Sequence, residues 1–218
     1  MQRHFHDELE RLKQTVLAMS ALVEDQIRLS MRALIERDDA LARRVLELER
    51  RVNDYDVEID ARCIELLALY QPAAGDLRFI TTAMKIVTDL ERMGDQAEGI
   101  ARRAIQLNRE PQLKPYIDLP RMAERVQGMV KASLDAFVTR DARLARQVCA
   151  SDDEVDALNE QIFRELLTYM TSDAGTIPRA ILLILIARSL ERIGDHATNV
   201  AEMVIYLVES KLVRHSLA

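Results

Sequence analysis

The chain has 218 residues, of which 49% are hydrophobic and 30% charged, with a net charge of −6. The acid excess argues against a broad nucleic-acid footprint, which needs a basic face. With 4% aromatics, no Trp, six Gly and five Pro, the composition suits long helices packed through Leu, Ile, Val, Ala and Met better than a sheet.

Apolar residues recur at three- and four-residue steps from the start. Leu9, Leu12, Val16, Met19, Val23, Ile27, Met31 and Leu34 form one face of a long amphipathic helix. The charged N-terminus, Met1 to Arg11, lacks the apolar core of a signal peptide. Arg37-Asp38-Asp39 interrupts the pattern. A second helix is predicted from about Asp39 to Leu69. Gln71-Pro72-Ala73-Ala74-Gly75 is a break, and a third helix is predicted from Asp76, read as its N-cap, to about Asn108. Pro111, Pro115 and Pro120 then crowd one short stretch, which no helix survives. The expected organisation is a first three-helix repeat over 1–110, a Pro-rich linker over 111–120 and a second three-helix repeat over 121–218.

Beyond the linker the pattern returns: a helix from Arg121 to Thr139, another from Asp141 to Met170, a break from Thr171 to Pro178, and a last helix to near Val213. Its apolar run, Ala180 to Ala187, is far short of the roughly 20 residues needed to span a bilayer. A cytoplasmic location without direct membrane insertion is therefore expected. Cys63 and Cys149 are read as free thiols in a reduced compartment. The fold class is all-α, two tandem pseudo-symmetric three-helix bundles with six long helices.

The second half is a copy of the first. Leu90–Leu107 reads LERMGDQAEGIARRAIQL and Leu190–Leu207 reads LERIGDHATNVAEMVIYL; at a shift of 100, 9 of 18 positions are identical, which points to internal duplication. At a shift of 103, Arg37-Asp38, Leu41-Ala42-Arg43 and Val52 match Arg140-Asp141, Leu144-Ala145-Arg146 and Val155.

Each copy carries the same acids. Glu91 and Asp95, and Glu191 and Asp195, are spaced i, i+4 on one helix face. The preceding helix offers Glu49, Asn53 and Asp56 in the first copy and Asp152, Asp156 and Asn159 in the second. Like charges at this spacing repel, so something cationic is needed. Facing rows of oxygen ligands could surround a hard cation such as magnesium, manganese or iron. The alternatives are pairing with Arg from adjacent helices and a plain helical scaffold with solvated acids. Gly94 and Gly194, in mid-helix, signal close approach by another helix or space for a bound group. His196 is a singleton, since Gln96 is its equivalent, and is read as either a ligand or an ordinary polar residue. No Gly-rich phosphate loop and no nucleophile with its base is present, so no enzymatic activity is expected.

These motifs carry a resemblance. Asp-Leu-Glu-Arg-Met-Gly-Asp at 89–95, Ser-Leu-Glu-Arg-Ile-Gly-Asp-His-Ala-Thr-Asn-Val-Ala-Glu at 189–202, and Gln71-Pro72 followed by Asp76-Leu77-Arg78 resemble the PhoU family of phosphate-uptake regulators over essentially the whole chain. The resemblance implies metal binding through Glu/Asp-x-x-x-Asp motifs, hence Glu91 with Asp95 and Glu191 with Asp195. Glu49/Asn53 and Asp152/Asp156 fit loosely, with Asn53 standing where the motif has an acid. The implied metal is iron, manganese, magnesium or zinc. The implied role is negative regulation of the phosphate-starvation response by an adaptor between a sensor histidine kinase and the ATPase subunit of the phosphate ABC transporter; a homodimer is expected separately, from the faces that long amphipathic helices leave for partners. A carboxylate-bridged metal-binding or storage bundle without a signalling role is the rival reading.

Overall fold

A computed structural model describes residues 2–210. The chain is all-α, with no strand among the described residues. The first half holds α1 (Gln2–Ile35), α2 (Asp39–Tyr70) and α3 (Ala74–Leu107); the second holds α4 (Asp118–Thr139), α5 (Ala142–Ala150), α6 (Asp152–Ser172) and α7 (Ile177–Glu209). A single 3₁₀ turn, Ala174–Thr176, leads into α7. The expected extension of the last helix to Val213 lies outside the described residues. No described helix is long and apolar enough to cross a membrane.

Short connections place α1 beside α2, α2 beside α3, α4 beside α5 and α6 beside α7, and the duplication extends to how they are capped. Arg37 and Arg140 both adopt left-handed backbone, φ 55° and 56°. The next residue in each copy caps the following helix. Asp38 accepts from the amides of Ala40 and Leu41, and Asp141 from those of Arg143 and Leu144. These caps satisfy amides that would otherwise lack partners. They fix both loops in one geometry, which explains why Arg-Asp recurs.

Three boundaries differ from expectation. The helix predicted over Asp141–Met170 is two helices, broken at Ser151. No Pro or Gly stands there. The Ser151 hydroxyl instead donates to the Gln147 carbonyl at 2.9 Å, and its amide bonds Val148 O at 3.0 Å, a three-residue step that tightens the turn. Asp152, Asp153 and Glu154 then favour a fresh helix start by their charge. Asp76 is not the cap of α3: the helix begins at Ala74 with Ala73 as an N-cap lacking any side-chain bond, and Asp76 sits in the first turn. Pro120 belongs to the first turn of α4 rather than to the linker, because a proline there removes no intrahelical hydrogen bond.

One apolar core runs through both halves. The pair α3 and α7 forms the seam between them, with α1 and α4 closing it on one side. Phe79 of α3 stacks on Phe137 of α4 with ring centroids 5.6 Å apart. Arg37 ties the end of α3 to the first loop by donating to the carbonyls of Asn108 at 2.8 Å and Glu110 at 2.6 Å. The buried ammonium of Lys114, in the connection between halves, pairs with Glu165 of α6. Cys63 and Cys149 are free thiols.

Candidate functional site

The acidic rows lie where α2 crosses α3 and α6 meets α7. In the first half Glu49 of α2 is buried at 6% exposure. It lies against Gly94, where an added Cβ would stand 3.0 Å from Glu49 Oε2 and 3.1 Å from Gln26 Oε1. The glycine therefore makes room for a carboxylate as well as for a helix. Gln26 of α1 donates to Glu49 Oε2 at 2.7 Å, while Glu49 Oε1 and Gln26 Oε1 are buried with no hydrogen-bond partner. Burial pushes the Glu49 carboxyl above its usual range, and Asp95, Glu98 and Glu91 facing it push the same way; only the Gln26 bond opposes them. Glu91 is raised by burial, then by Asp95, with Asp56 adding to it. Asp56 is itself raised by burial and by Asp60.

The second half repeats the arrangement. Asp152, the first residue of α6, is pushed up to about 6 by burial, then by Asp195 and Asp156. Thr198 lies beside it, yet neither Thr198 Oγ1 nor Asp152 Oδ1 completes a hydrogen bond. Glu191 is raised by burial, Asp195 and Asp156, with the Asn159 side chain opposing. Asp195 is raised by burial and Asp156. Gly194 is roomier than Gly94: an added Cβ would meet Val155 Cγ1 at 3.5 Å and Asp152 Oδ1 at 3.7 Å. Asp152 and Asp195 open onto a cleft of about 620 Å³ shared with Lys85, Asp89 and Glu202.

The predicted rows therefore come together in most members. Glu49, Asp56, Glu91 and Asp95 act on one another in the first half, and Asp152, Asp156, Asn159, Glu191 and Asp195 in the second. Asn53 does not join them: it is exposed on α2, and with no charge it makes no mark on its neighbours. Among the described residues no three His, Cys, Asp or Glu side chains converge closely enough to hold a metal ion. Arginine pairing is also thin. Arg92 reaches Glu91 and Asp95 of its own helix only at 3.4 Å each, and no arginine of an adjacent helix forms an ion pair with the rows among the described residues.

Sequence reasoning missed Gln26, which comes from outside the repeated motifs, Thr198, which lies inside one but differs from its counterpart Glu98, and the partner of His196. Its Nδ1 stands 2.8 Å from Asp89 Oδ1 of the other half, and Asn199 donates to the same oxygen at 3.2 Å. His196 thus works as a clasp across the seam.

A family model described as the PhoU domain matches residues 16–104 and again 119–204. The chain is a member of the PhoU family. It is 45% identical over 214 residues to the phosphate-specific transport system accessory protein PhoU homolog of Pseudomonas putida, covering 98% of this chain and 84% of that one. The homolog of the same name from Aquifex aeolicus is 48% identical, covering 95% of this chain and 94% of that one. Among solved structures, PhoU from Pseudomonas aeruginosa superimposes with a TM-score of 0.93 at 46% identity, covering 95% of this chain and all of that one. The phosphate transport system regulatory protein PhoU from Streptococcus pneumoniae gives 0.90 at 31% identity, covering 96% and 99%. The two PhoU-domain matches fall on either side of the proline-containing connection.

Proposed function

We propose that this PhoU-family chain is an accessory regulator of phosphate transport that restrains the phosphate-starvation response. In this reading it works as a cytoplasmic adaptor between the ATPase subunit of a phosphate ABC transporter and a sensor histidine kinase, and is not an enzyme. The observation that carries it is identity of 36–48% over nearly the whole length to proteins named for phosphate-specific transport. Exposed apolar side chains on α2, Val57, Ile64 and Leu69, supply material for a homodimer or partner contact.

Two carboxylate sites for a hard metal ion, iron, manganese, magnesium or zinc, belong to the same proposal. The donor chemistry suits such an ion, although the acids as placed stand too far apart to ligate one together: Glu49 Oε1, Gln26 Oε1, Asp152 Oδ1 and Thr198 Oγ1 are buried oxygens without partners, and the acids repel one another. A cation would supply the missing positive charge and draw α2 toward α3 and α6 toward α7. Glu49, Glu91 and Asp95 would hold it in the first half, and Asp152, Asp156, Glu191 and Asp195 in the second.

Deletion of the gene tests the adaptor reading. Phosphate uptake and phosphate-responsive gene expression should both escape repression at high phosphate, and the tagged chain should co-purify with the transporter ATPase and the kinase. Unchanged uptake and expression would remove the proposal. The unpartnered oxygens favour one second reading, a metal-binding or storage bundle without signalling. It predicts metal in the purified protein together with unaltered phosphate responses in the deletion strain.

A further inference from the structure

The seam between α3 and α7 carries two pockets related by the internal repeat, and their charges differ. The larger, the cleft onto which Asp152 and Asp195 open, includes Lys85, Thr88 and Asp89. At a shift of 100 these become Leu185, Arg188 and Ser189, which line a small pocket of about 100 Å³ together with Gln96, Arg103 and Arg192. In the first pocket Asp89 supplies an acid and engages His196 and Asn199. In the second, Ser189 stands at the place of Asp89, Gln96 at the place of His196 and Arg103 at the place of Met203. This pocket thus lacks the acid of its sister and holds three guanidinium groups, of which Arg103 and Arg188 stand where the other copy has Met203 and Thr88, while Arg192 has Arg92 as its counterpart.

None of Arg103, Arg188 and Arg192 forms an ion pair among the described residues, whereas Arg102 and Arg92, their neighbours in sequence or by repeat, pair with Glu98 and Glu91. Arg188 and Arg192 feel the field of Glu191 and Asp195 on their own helix without touching them. Arg103 is half-buried, and Gly99 gives it its place: an added Cβ at 99 would stand 2.7 Å from Arg103 Nη1. Burial and the nearby Arg192 both disfavour the charge on Arg103. Three like charges around one small pocket, Arg188 and Arg192 exposed at its rim and Arg103 half-buried in the space that Gly99 leaves, make a local positive field that attracts an anion. Guanidinium groups present planar forks of donors that match tetrahedral oxyanions. Gln96 and Ser189 add polar groups that can accept the proton of a hydrogen phosphate. The volume suits a single ion and is well below the roughly 300 Å³ at which pockets begin to hold larger organic ligands.

We propose that Arg103, Arg188 and Arg192, with Ser189 and Gln96, form a binding site for inorganic phosphate on the seam between the repeats. The site is separate from the carboxylate rows and does not depend on a bound metal. Phosphate there joins α3 to α7, so it acts on the relative placement of the two halves.

The test is equilibrium dialysis of the full chain, stripped of metal by chelator, against radiolabelled inorganic phosphate. One phosphate should bind per chain, saturably, and more weakly as salt rises. Arg192→Gln should weaken binding by about tenfold or more, the loss expected for one charge-assisted contact. The double variant Arg188→Gln/Arg192→Gln should abolish it while melting at the same or a higher temperature than the parent without phosphate. Ser189→Asp is the second probe: it restores the acid of the sister pocket, and should abolish phosphate binding in a folded protein. Glu191→Gln/Asp195→Asn should leave phosphate binding in place, so that loss of the metal reading and loss of this one are told apart. Absence of saturable binding to the parent, undiminished binding in the arginine double variant and Ser189→Asp, or binding only to metal-loaded protein would each overturn the assignment.

Discussion

Replacing each mid-helix glycine by alanine should give effects of opposite sign in the two copies. Alanine gains about 1 kcal/mol over glycine inside a helix. At 194 the new methyl would meet its nearest neighbours at 3.5–3.8 Å, ordinary van der Waals distances, so most of that gain should survive. Gly194→Ala is expected to stabilise the protein by about 0.5–1 kcal/mol. At 94 the methyl would stand 3.0 Å from Glu49 Oε2 and 3.1 Å from Gln26 Oε1. Both side chains are buried, and Gln26 Nε2 donates to Glu49 Oε2 at 2.7 Å, so neither can move aside without straining that bond. A hydrogen bond to a charged acceptor contributes about 1.5–3 kcal/mol, which outweighs the helical gain and leaves a net loss of about 1–2 kcal/mol. Thermal unfolding of the metal-free proteins, followed by circular dichroism, should show Gly94→Ala melting about 2–8 °C below the parent and Gly194→Ala a few degrees above it. Urea midpoints at constant slope should rank the three proteins in the same order. Shifts of the same sign and size for both variants would mean that the Glu49–Gln26 contact does not distinguish the two crossings.

Metal-free protein should grow less stable as pH rises through about 4 to 6, because the Asp152 carboxyl, lifted to about 6 from 3.8, holds its proton more tightly folded than unfolded. Asp152→Asn should therefore raise the melting temperature at neutral pH and change it little below pH ~4; a drop at neutral pH would contradict the sign. Added manganese should raise the melting temperature of chelator-treated protein, and Glu191→Gln/Asp195→Asn should reduce that rise more than Glu91→Gln/Asp95→Asn, since Asn53 stands where the second half has Asp156; calorimetric titration of the two variants decides it. His196→Ala should cost about 1 kcal/mol by releasing Asp89 across the seam, read as a shift in urea midpoint, with no shift counting against the clasp.

The helices were legible because each buries one stripe, and the i, i+3, i+4 record of that stripe is strong in Leu12, Val16, Met19, Val23 and Ile27, all fully buried. The break at Ser151 was not legible, since it arises from one hydroxyl turned back on its own helix and not from a residue that breaks helices by type. The opposed rows were legible because duplication repeats them: residues kept at one spacing in both copies stand out against the general run of acids. Gln26 approaches from α1, where no repeated motif marks it. The Asp89–His196 contact and the arginine pocket escaped for a further reason. Both join one copy to the other, and matching the halves marks residues kept at one spacing, not residues that meet across the seam.

The continuous core across the α3–α7 seam has an evolutionary consequence. A single three-helix unit would leave the seam face of its third helix bare, an apolar strip that water would not tolerate. Before the coding sequence doubled, such a unit could cover that strip only against a second copy of itself. The ancestor is thus best described as a symmetric dimer later tethered into one polypeptide. Tethering freed the two sides of the joint from having to be the same, and the acidic and basic pockets along it are the differences that this freedom allowed.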